Sequence, residues 1–380
     1  MDGTKTANEF ARKDGMLRVR CVGHAVGRHP KSDAFIITLN DRVWLIDGGM
    51  RGNYDAYERL LDLREAWIGK KSREVDDETC KLHITCLISH FHVDHVQELV
   101  SHILKSPYIA VDEIVFPPET ALRPEASRNE DYYYRNVIRE TLAEYQPDTK
   151  VSVLHYGLSG VVHTEYDGLT LDILPPDSDW GTDEKLDLLT EIHFGGNAGG
   201  HSISIKSINS NSVWHLFRFG GKRLLFTGDS NKNDAERSDE SVDLMAAEYS
   251  DILGGHIDVL KWPHHGCVRN AAAGFMHSMT PEYIVITTAE LETASAEYTE
   301  RYPDDEAKLM RLASEDIVFY VTADGNLTVR CCSDVFADFE NGEEAGCICL
   351  SSLRPALATW AVATAFMPMR CPAAPRRRAE

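Results

Sequence analysis

The stretch Ile88-Ser89-His90-Phe91-His92-Val93-Asp94-His95 constrains this chain more than any other. It follows an apolar run, Leu82 to Ile88, that reads as a buried strand. It precedes Val96–Leu104, whose apolar spacing is that of a helix packed on a sheet. A strand therefore ends, a short loop follows, and a helix opens with Asp94 and His95 at its N-terminus. His90 and His92, two apart in near-extended chain, point the same way, and Asp94 and His95 return toward the same spot. Such groups around one small volume suit a pair of divalent metal ions better than a solvated histidine-rich turn.

A chain of 380 residues can bury the large core that holds such a loop still. Lys and Arg total 39 against 60 Asp and Glu, a net charge of −21. That balance argues against a broad nucleic-acid-binding face, though not against a cleft in which metals supply the positive charge. The nine cysteines show no zinc-finger spacing, since Cys331-Cys332 and Cys347-Ile348-Cys349 are too tight. Reduced thiols in a cytoplasmic protein are the reading preferred. Neither an export signal nor a run of transmembrane length is expected.

Along the chain, residues 1–16 are polar and expected to fray. Leu17–Val22 alternates as a strand, and Ala34–Leu39 and Val43–Ile46 form a hairpin through Asn40-Asp41. The second of these ends in Asp47-Gly48-Gly49, a carboxylate followed by glycines that signal a turn or close backbone approach. Residues 54–70 read as a helix, Lys70–Glu78 as a loop, and Ile114–Phe116 as a short strand. A charged helix over 125–146 carries Tyr132-Tyr133-Tyr134, read as a packed face rather than a substrate platform. Strands follow at Val151–His155 and Leu169–Leu174, then a glycine-rich loop over 177–201. Further strands are expected at Ser212–Phe219, Lys222–Thr227, Ile257–Trp262 and Tyr283–Thr287, a helix around Asp304–Ser314, and strands at Ile317–Thr322 and Leu327–Arg330. Residues 17–335 read as one domain, with insertions near 51–80 and 117–150 that would roof a cleft. Residues 336–380 read as a tail.

Three features share one design, a strand that runs out and leaves ligand-type side chains at its end: His90/His92/Asp94/His95, Asp229 in Gly228-Asp229-Ser230, and His264/His265 in Pro263-His264-His265-Gly266. Asp47 is a fourth candidate. In this order the sequence resembles the metallo-β-lactamase superfamily of metallohydrolases. Within it, Leu45–Gly49, Asn209–Val213, Leu224–Asp229, Val259–Gly266 and Thr322–Gly325 are most similar to the nuclease-like domain of ComEC competence proteins.

The resemblance implies an α/β fold, a four-layer αβ/βα sandwich with two divalent metals, zinc or manganese, at one edge of the facing sheets. His90 and His92 would belong to the first metal and Asp94 and His95 to the second. Asp229 would bridge them, and His265 would complete the second site. Asp94 would also orient a hydroxide formed on the two metals, and His264 would be a supporting group or proton donor. Asp47 would orient a ligand. A further histidine that many relatives carry is replaced here by Asn209 or Asn211, with His193 and His201 as substitutes. Lys206, Lys222, Lys261 and Arg269 read mainly as solvated, Lys261 and Arg269 being the candidates for phosphate contacts. The implied substrate is a phosphodiester, either a small molecule or single-stranded nucleic acid. The alternatives are hydrolysis of lactones, thioesters or amides on the same metal core, and an inactive regulatory domain.

Overall fold

The computed structural model describes residues 6–23, 32–50, 55–69, 80–119, 130–177, 205–230, 241–266, 272–288, 294–312 and 316–332. β1 (Leu17–Cys21), β2 (Phe35–Leu39) and β3 (Arg42–Ile46) run antiparallel. β4 (Leu82–Leu87), β5 (Ile109–Phe116) and β6 (Lys150–Val153) extend the same sheet in parallel. A second sheet holds β7 (Val162–Tyr166), β8 (Leu169–Leu174), β9 (Trp214–Phe219), β10 (Lys222–Phe226), β11 (Val259–Lys261), β12 (Tyr283–Ile286) and β13 (Lys308–Arg311), neighbours in chain order. The chain then returns with β14 (Asp316–Val321) and β15 (Leu327–Cys332), and β14 pairs with β1 in the first sheet.

Strand alternation sorts the side chains into three cores. Leu17, Val19, Phe35, Ile37 and Ile46 of the first sheet meet Ile173, Phe217, Leu224, Phe226 and Val285 of the second. The opposite face of the first sheet, with Ile36, Leu45 and Ile84, is covered by helices. These are α1 (Asp55–Ile68, through Leu60 and Leu63), α2 (Val93–Glu98, through Val96) and α3 (Glu130–Tyr145, through Ile138 and Leu142). The outer face of the second sheet, with Trp214, Leu216, Leu225 and Ile284, is covered by Val242, Met245, Phe275 and Met276 from its own helices. The order helix, sheet, sheet, helix is the four-layer αβ/βα sandwich. Strands buried on both faces read as unbroken apolar runs, which is why so many were legible.

Several expectations change. The helix expected around Asp304–Ser314 is instead β13, parallel to β12. Glu306-Ala307-Lys308-Leu309-Met310-Arg311 is locally helix-favouring, but the sheet edge recruits it because Met310 and Leu312 then enter the inter-sheet core. Of the tyrosine run only Tyr134 packs inward. Tyr132 and Tyr133 are 44% and 58% exposed, because consecutive helical residues point about 100° apart. The polar N-terminal stretch forms a 3-10 turn at Ala7–Phe10, with Ala7 buried and the Asn8 amide donating to the carbonyls of Asp41 and His83. α1 and α3, which fall in the two insertions, serve as helical cover for the first sheet. The glycine-rich loop beyond residue 177, the 70–78 loop, the tail from 336, and His193, His201 and Arg269 lie outside the described residues. Among the described residues no helix is long and apolar enough to cross a membrane.

Candidate metal centre

The centre forms where strand ends from both sheets converge. β4 ends at Leu87 and leads through Ser89 to His92, which precedes the first turn of α2 in extended backbone. Across the sheets, Val213 N donates to Ser89 O at 2.9 Å, and at the strand ends of the second sheet His264 N donates to Gly228 O at 3.2 Å. Asp33 N donates to Asp94 O at 3.3 Å. The approach is close enough that a Cβ on Gly228, whose φ is +53°, would lie 2.9 Å from Ser212 and from Ser89 Cβ. Gly228→Ala is therefore expected to destabilise the protein by roughly 2–4 kcal/mol, combining overpacking with left-handed strain. Urea unfolding checks this, and an unchanged midpoint would contradict so tight a junction. Gly48 plays the corresponding part beside α2, where an added Cβ would meet Leu99 Cβ at 2.7 Å.

Three ionisable residues here hold left-handed backbone, Asp47 at φ 55°, His264 at 50° and His265 at 57°. Each such residue costs on the order of 1–3 kcal/mol. That strain concentrates where side chains must be aimed rather than merely packed.

Asp229 lies at the focus. Its Oδ2 is 3.3 Å from His95 Nε2 and 3.1 Å from His265 Nε2, and Asp94 Oδ2 is 3.1 Å from the same His265 nitrogen. The far side of each ring is held by a carboxylate. His95 Nδ1 donates to Asp47 Oδ2 at 2.8 Å, and His265 Nδ1 lies 3.0 Å from Asp33 Oδ1. Such carboxylate–histidine pairs fix the ring and turn Nε2 toward a metal position. A second group, His90, His92 and Asp229, shares the same aspartate. Ser89 Oγ donates to Asp47 Oδ2 at 2.7 Å, so at His90 Nδ1, 3.0 Å away, it accepts. His90 Nδ1 thus carries the proton and Nε2 presents a bare lone pair. His90 Nε2 and His92 Nε2 are buried and have no hydrogen-bond partner among the described residues. Buried orphan nitrogens of this kind are what a cation satisfies, so these residues fit divalent metals.

Every sequence-identified candidate, His90, His92, Asp94, His95, Asp229, His264 and His265, is brought into this one region, and Asp47 is placed behind His95. Asp33 was missed. It opens Asp33-Ala34-Phe35-Ile36, a run that resembles the ComEC group, but it follows no strand and nothing local marks it as a site residue, and only the fold sets it against His265, 232 positions away. Asp33 falls within the same cluster as His95, Asp229 and His265. Its oxygens, however, face His265 Nδ1 and the Lys261 ammonium, the latter at 2.6 Å, so it supports the site from behind. Lys261 corrects another expectation. It is fully buried and also reaches Gly228 O at 2.6 Å and Asp229 Oδ1 at 3.3 Å, so it neutralises carboxylates rather than meeting a phosphate. Lys222 is paired with Asp258 at 2.8 Å on the second sheet. His264 and Asp94, at 30% and 21% side-chain exposure, form the solvent-facing lip.

Burial and charge set the protonation. Burial pushes Asp33 and Asp229 up, but the cations overrule it and hold both carboxyls below their usual range. For Asp33 these are Lys261 and then His265, and for Asp229 they are His265 and His95. Burial favours neutral His95 and His265, yet Asp229 acts on both, with Asp47 beside His95 and Asp33 beside His265, and raises both well above the ordinary imidazole value. Burial wins at His92 and His264, each lowered to about 4. His264 is therefore an uncharged ring at neutral pH, and Asn209 Nδ2 lies 3.4 Å from its Nε2.

No protein-family model and no curated protein matches the chain. Among solved structures it is similar to the metallo-β-lactamase fold protein YhfI from Bacillus subtilis, with 11% identity and a TM-score of 0.39 over 83% of this chain and 99% of that one. A diphosphatase from the PhnP family gives 11% and 0.38 over 82% and 97%. Human tRNase Z, short form, gives 12% and 0.35 over 78% and 92%. At these identities and scores the likenesses carry no argument about chemistry, which has to come from the chain's own side chains.

Proposed function

We propose that the chain is a hydrolase of phosphodiesters working with two divalent metal ions, zinc or manganese. His90, His92 and Asp229 would hold one ion, and Asp94, His95, His265 and Asp229 the other. The observation that carries this reading is the single carboxylate shared by two groups of buried ring nitrogens, three of which, on His90, His92 and His95, have no hydrogen-bond partner among the described residues. When bound, the ions would supply Lewis acidity and lower the pKa of a coordinated water.

The chain's own residues do the rest. Asp47 and Asp33 keep His95 and His265 turned with Nε2 inward. Asp94, at the lip, stays ionised because the hydrogen bond from His265 and the nearby His95 overrule burial. It can accept a hydrogen bond from an attacking water and orient it. His264, an uncharged ring at the same lip with its Nε2 beside Asn209 Nδ2, would be a supporting group there. Lys261 is wholly engaged inside, so the negative charge of a phosphoryl group would fall mainly to the ions. With a chain charge of −21, this favours a small diester or a single-stranded end over a long duplex.

The test is an assay of metal-free protein reloaded with zinc or manganese on bis-p-nitrophenyl phosphate, single-stranded DNA, RNA and a lactone panel, beside Asp94→Ala. Diester turnover is expected, reduced by about 10²–10⁴-fold in the variant. Turnover of lactones alone would overturn the substrate class. Undiminished diester turnover in Asp94→Ala would overturn the mechanism.

A further inference from the structure

We propose that Arg135, on α3, is a positioning residue for the first metal group, acting on His90 and His92 through the ring of Phe91 between them. The inference rests on reading the centre as a two-metal site and adds a residue from outside it.

Phe91 is turned away from the centre. It is fully buried in the helix-side core of the first sheet and meets Phe116, at the end of β5, edge to face with 5.2 Å between centroids. The Arg135 guanidinium lies over its ring, 4.5 Å from the centroid, and 5.8 Å from that of Phe116. That cation is buried and itself held in place. Nη1 donates to Pro117 O at 3.1 Å and Nη2 to Pro118 O at 2.9 Å, while Nε and Nη2 donate to the Asp131 carboxylate at 3.3 and 3.2 Å. The planar fork serves two consecutive carbonyls and a carboxylate at its rim and leaves its face for the ring, which the point charge of a lysine could not do.

The neighbouring histidines have anchors of their own. His90 Nδ1 donates to Ser89 Oγ, and His95 is held by Asp47 and by the Gly48 and Gly49 amides on its carbonyl. Among the described residues no hydrogen bond reaches the His92 ring, so its aim follows the seating of Phe91 one residue before. A staple that only joined α3 to the end of β5 would need the two proline carbonyls and nothing of Phe91. Because the buried cation also grips the residue between two candidate ligands, α3, expected to roof the cleft, braces the histidine loop from behind.

The experiment titrates metal-free wild type, Arg135→Met, Arg135→Lys, Phe91→Leu, the double variant Arg135→Met with Phe91→Leu, and His92→Ala with zinc by calorimetry, with urea midpoints measured alongside. His92→Ala marks which ion belongs to the first group. Arg135→Met and Phe91→Leu are each expected to weaken that ion by about 10-fold, the lower end of what losing an indirect support costs, and to leave the other nearly unchanged. Arg135→Lys, which keeps the charge without the fork, should not recover the loss. The double variant should lose no more than Arg135→Met alone, because both changes act through one contact. A lower urea midpoint with both affinities intact in Arg135→Met and Phe91→Leu would make the clamp merely structural, overturning the proposal while sparing the two-metal reading. Losses that multiply in the double variant, losses equal for both ions, or full recovery in Arg135→Lys would overturn it as well. Wild type that binds no ion would overturn both. Should Arg135→Met fail to fold, Phe91→Leu decides, since wild-type affinity for the first ion there removes the route through the ring.

Discussion

Under the two-metal proposal, Asp229→Asn is expected to abolish turnover and to loosen both ions at once, while the chain still folds. The two groups share this carboxylate, whose Oδ2 lies between His95 and His265 and whose Oδ1 faces Lys261. Losing a residue that merely orients a ligand costs about 10–100-fold in metal affinity. A shared ligand should therefore cost each ion about 10²-fold or more. The amide keeps the shape and drops the charge, so Lys261 is left with Asp33 as its remaining carboxylate. Breaking a buried ion pair outright costs roughly 3–5 kcal/mol. With Asp33 still at 2.6 Å, the loss in metal-free stability should fall at or below the lower end of that range. Metal content after dialysis, kcat/KM on a diester and the urea midpoint read the three effects separately. Two retained ions with undiminished turnover would remove Asp229 from the centre.

The second large effect is a loss of stability in mild acid, carried in good part by one residue outside the metal groups. His215 sits on β9 between Ile173 of β8 and Phe226 of β10, fully buried, and neither ring nitrogen has a hydrogen-bond partner among the described residues. Burial lowers its pKa from 6.5 to about 3. In the native state it therefore stays unprotonated down to about pH 3, whereas the unfolded chain takes up a proton below about pH 6.5. Stability is thus fully present above pH 6.5 and falls as the pH drops toward 3. At pH 5 this one residue removes about 2 kcal/mol. His215→Leu should flatten the dependence between pH 7 and 5 in metal-free protein, and should also stabilise it at pH 7, because an unpartnered imidazole N–H leaves the core. Urea midpoints at the two pH values measure it. Parallel slopes in wild type and variant would refute the assignment.

What the sequence revealed divides along physical lines. Doubly buried strands such as Phe35–Leu39 and Leu169–Leu174 announce themselves because both faces are apolar. The candidate ligands on the histidine loop are close in sequence, and those after β10 and β11 carry recognisable strand-end signatures. β13 misled because its residues favour a helix locally and only the neighbouring strand makes them extended. Asp33 and Lys261 stayed hidden for a related reason. A buried ion pair between distant segments leaves no local pattern, and a lysine in a sequence looks the same solvated or buried. The burial of His215 was equally silent, since one polar residue in an apolar strand reads as a face exposed to water.

The return of β14 to β1 bears on how the protein comes into being. Leu17 pairs with Val321, and Gly23 N donates to Asp316 across 293 positions. On the ribosome, the strand that opens the chain waits for nearly the last described one before its sheet is complete. Contacts this distant in sequence make for slow folding. The histidine loop is synthesised long before Asp229 and His265, so a nascent chain shows free metal only a flexible pair of rings. Tight capture comes after the second sheet has docked. Under the two-metal proposal, a loaded centre would mark a chain whose two sheets have docked.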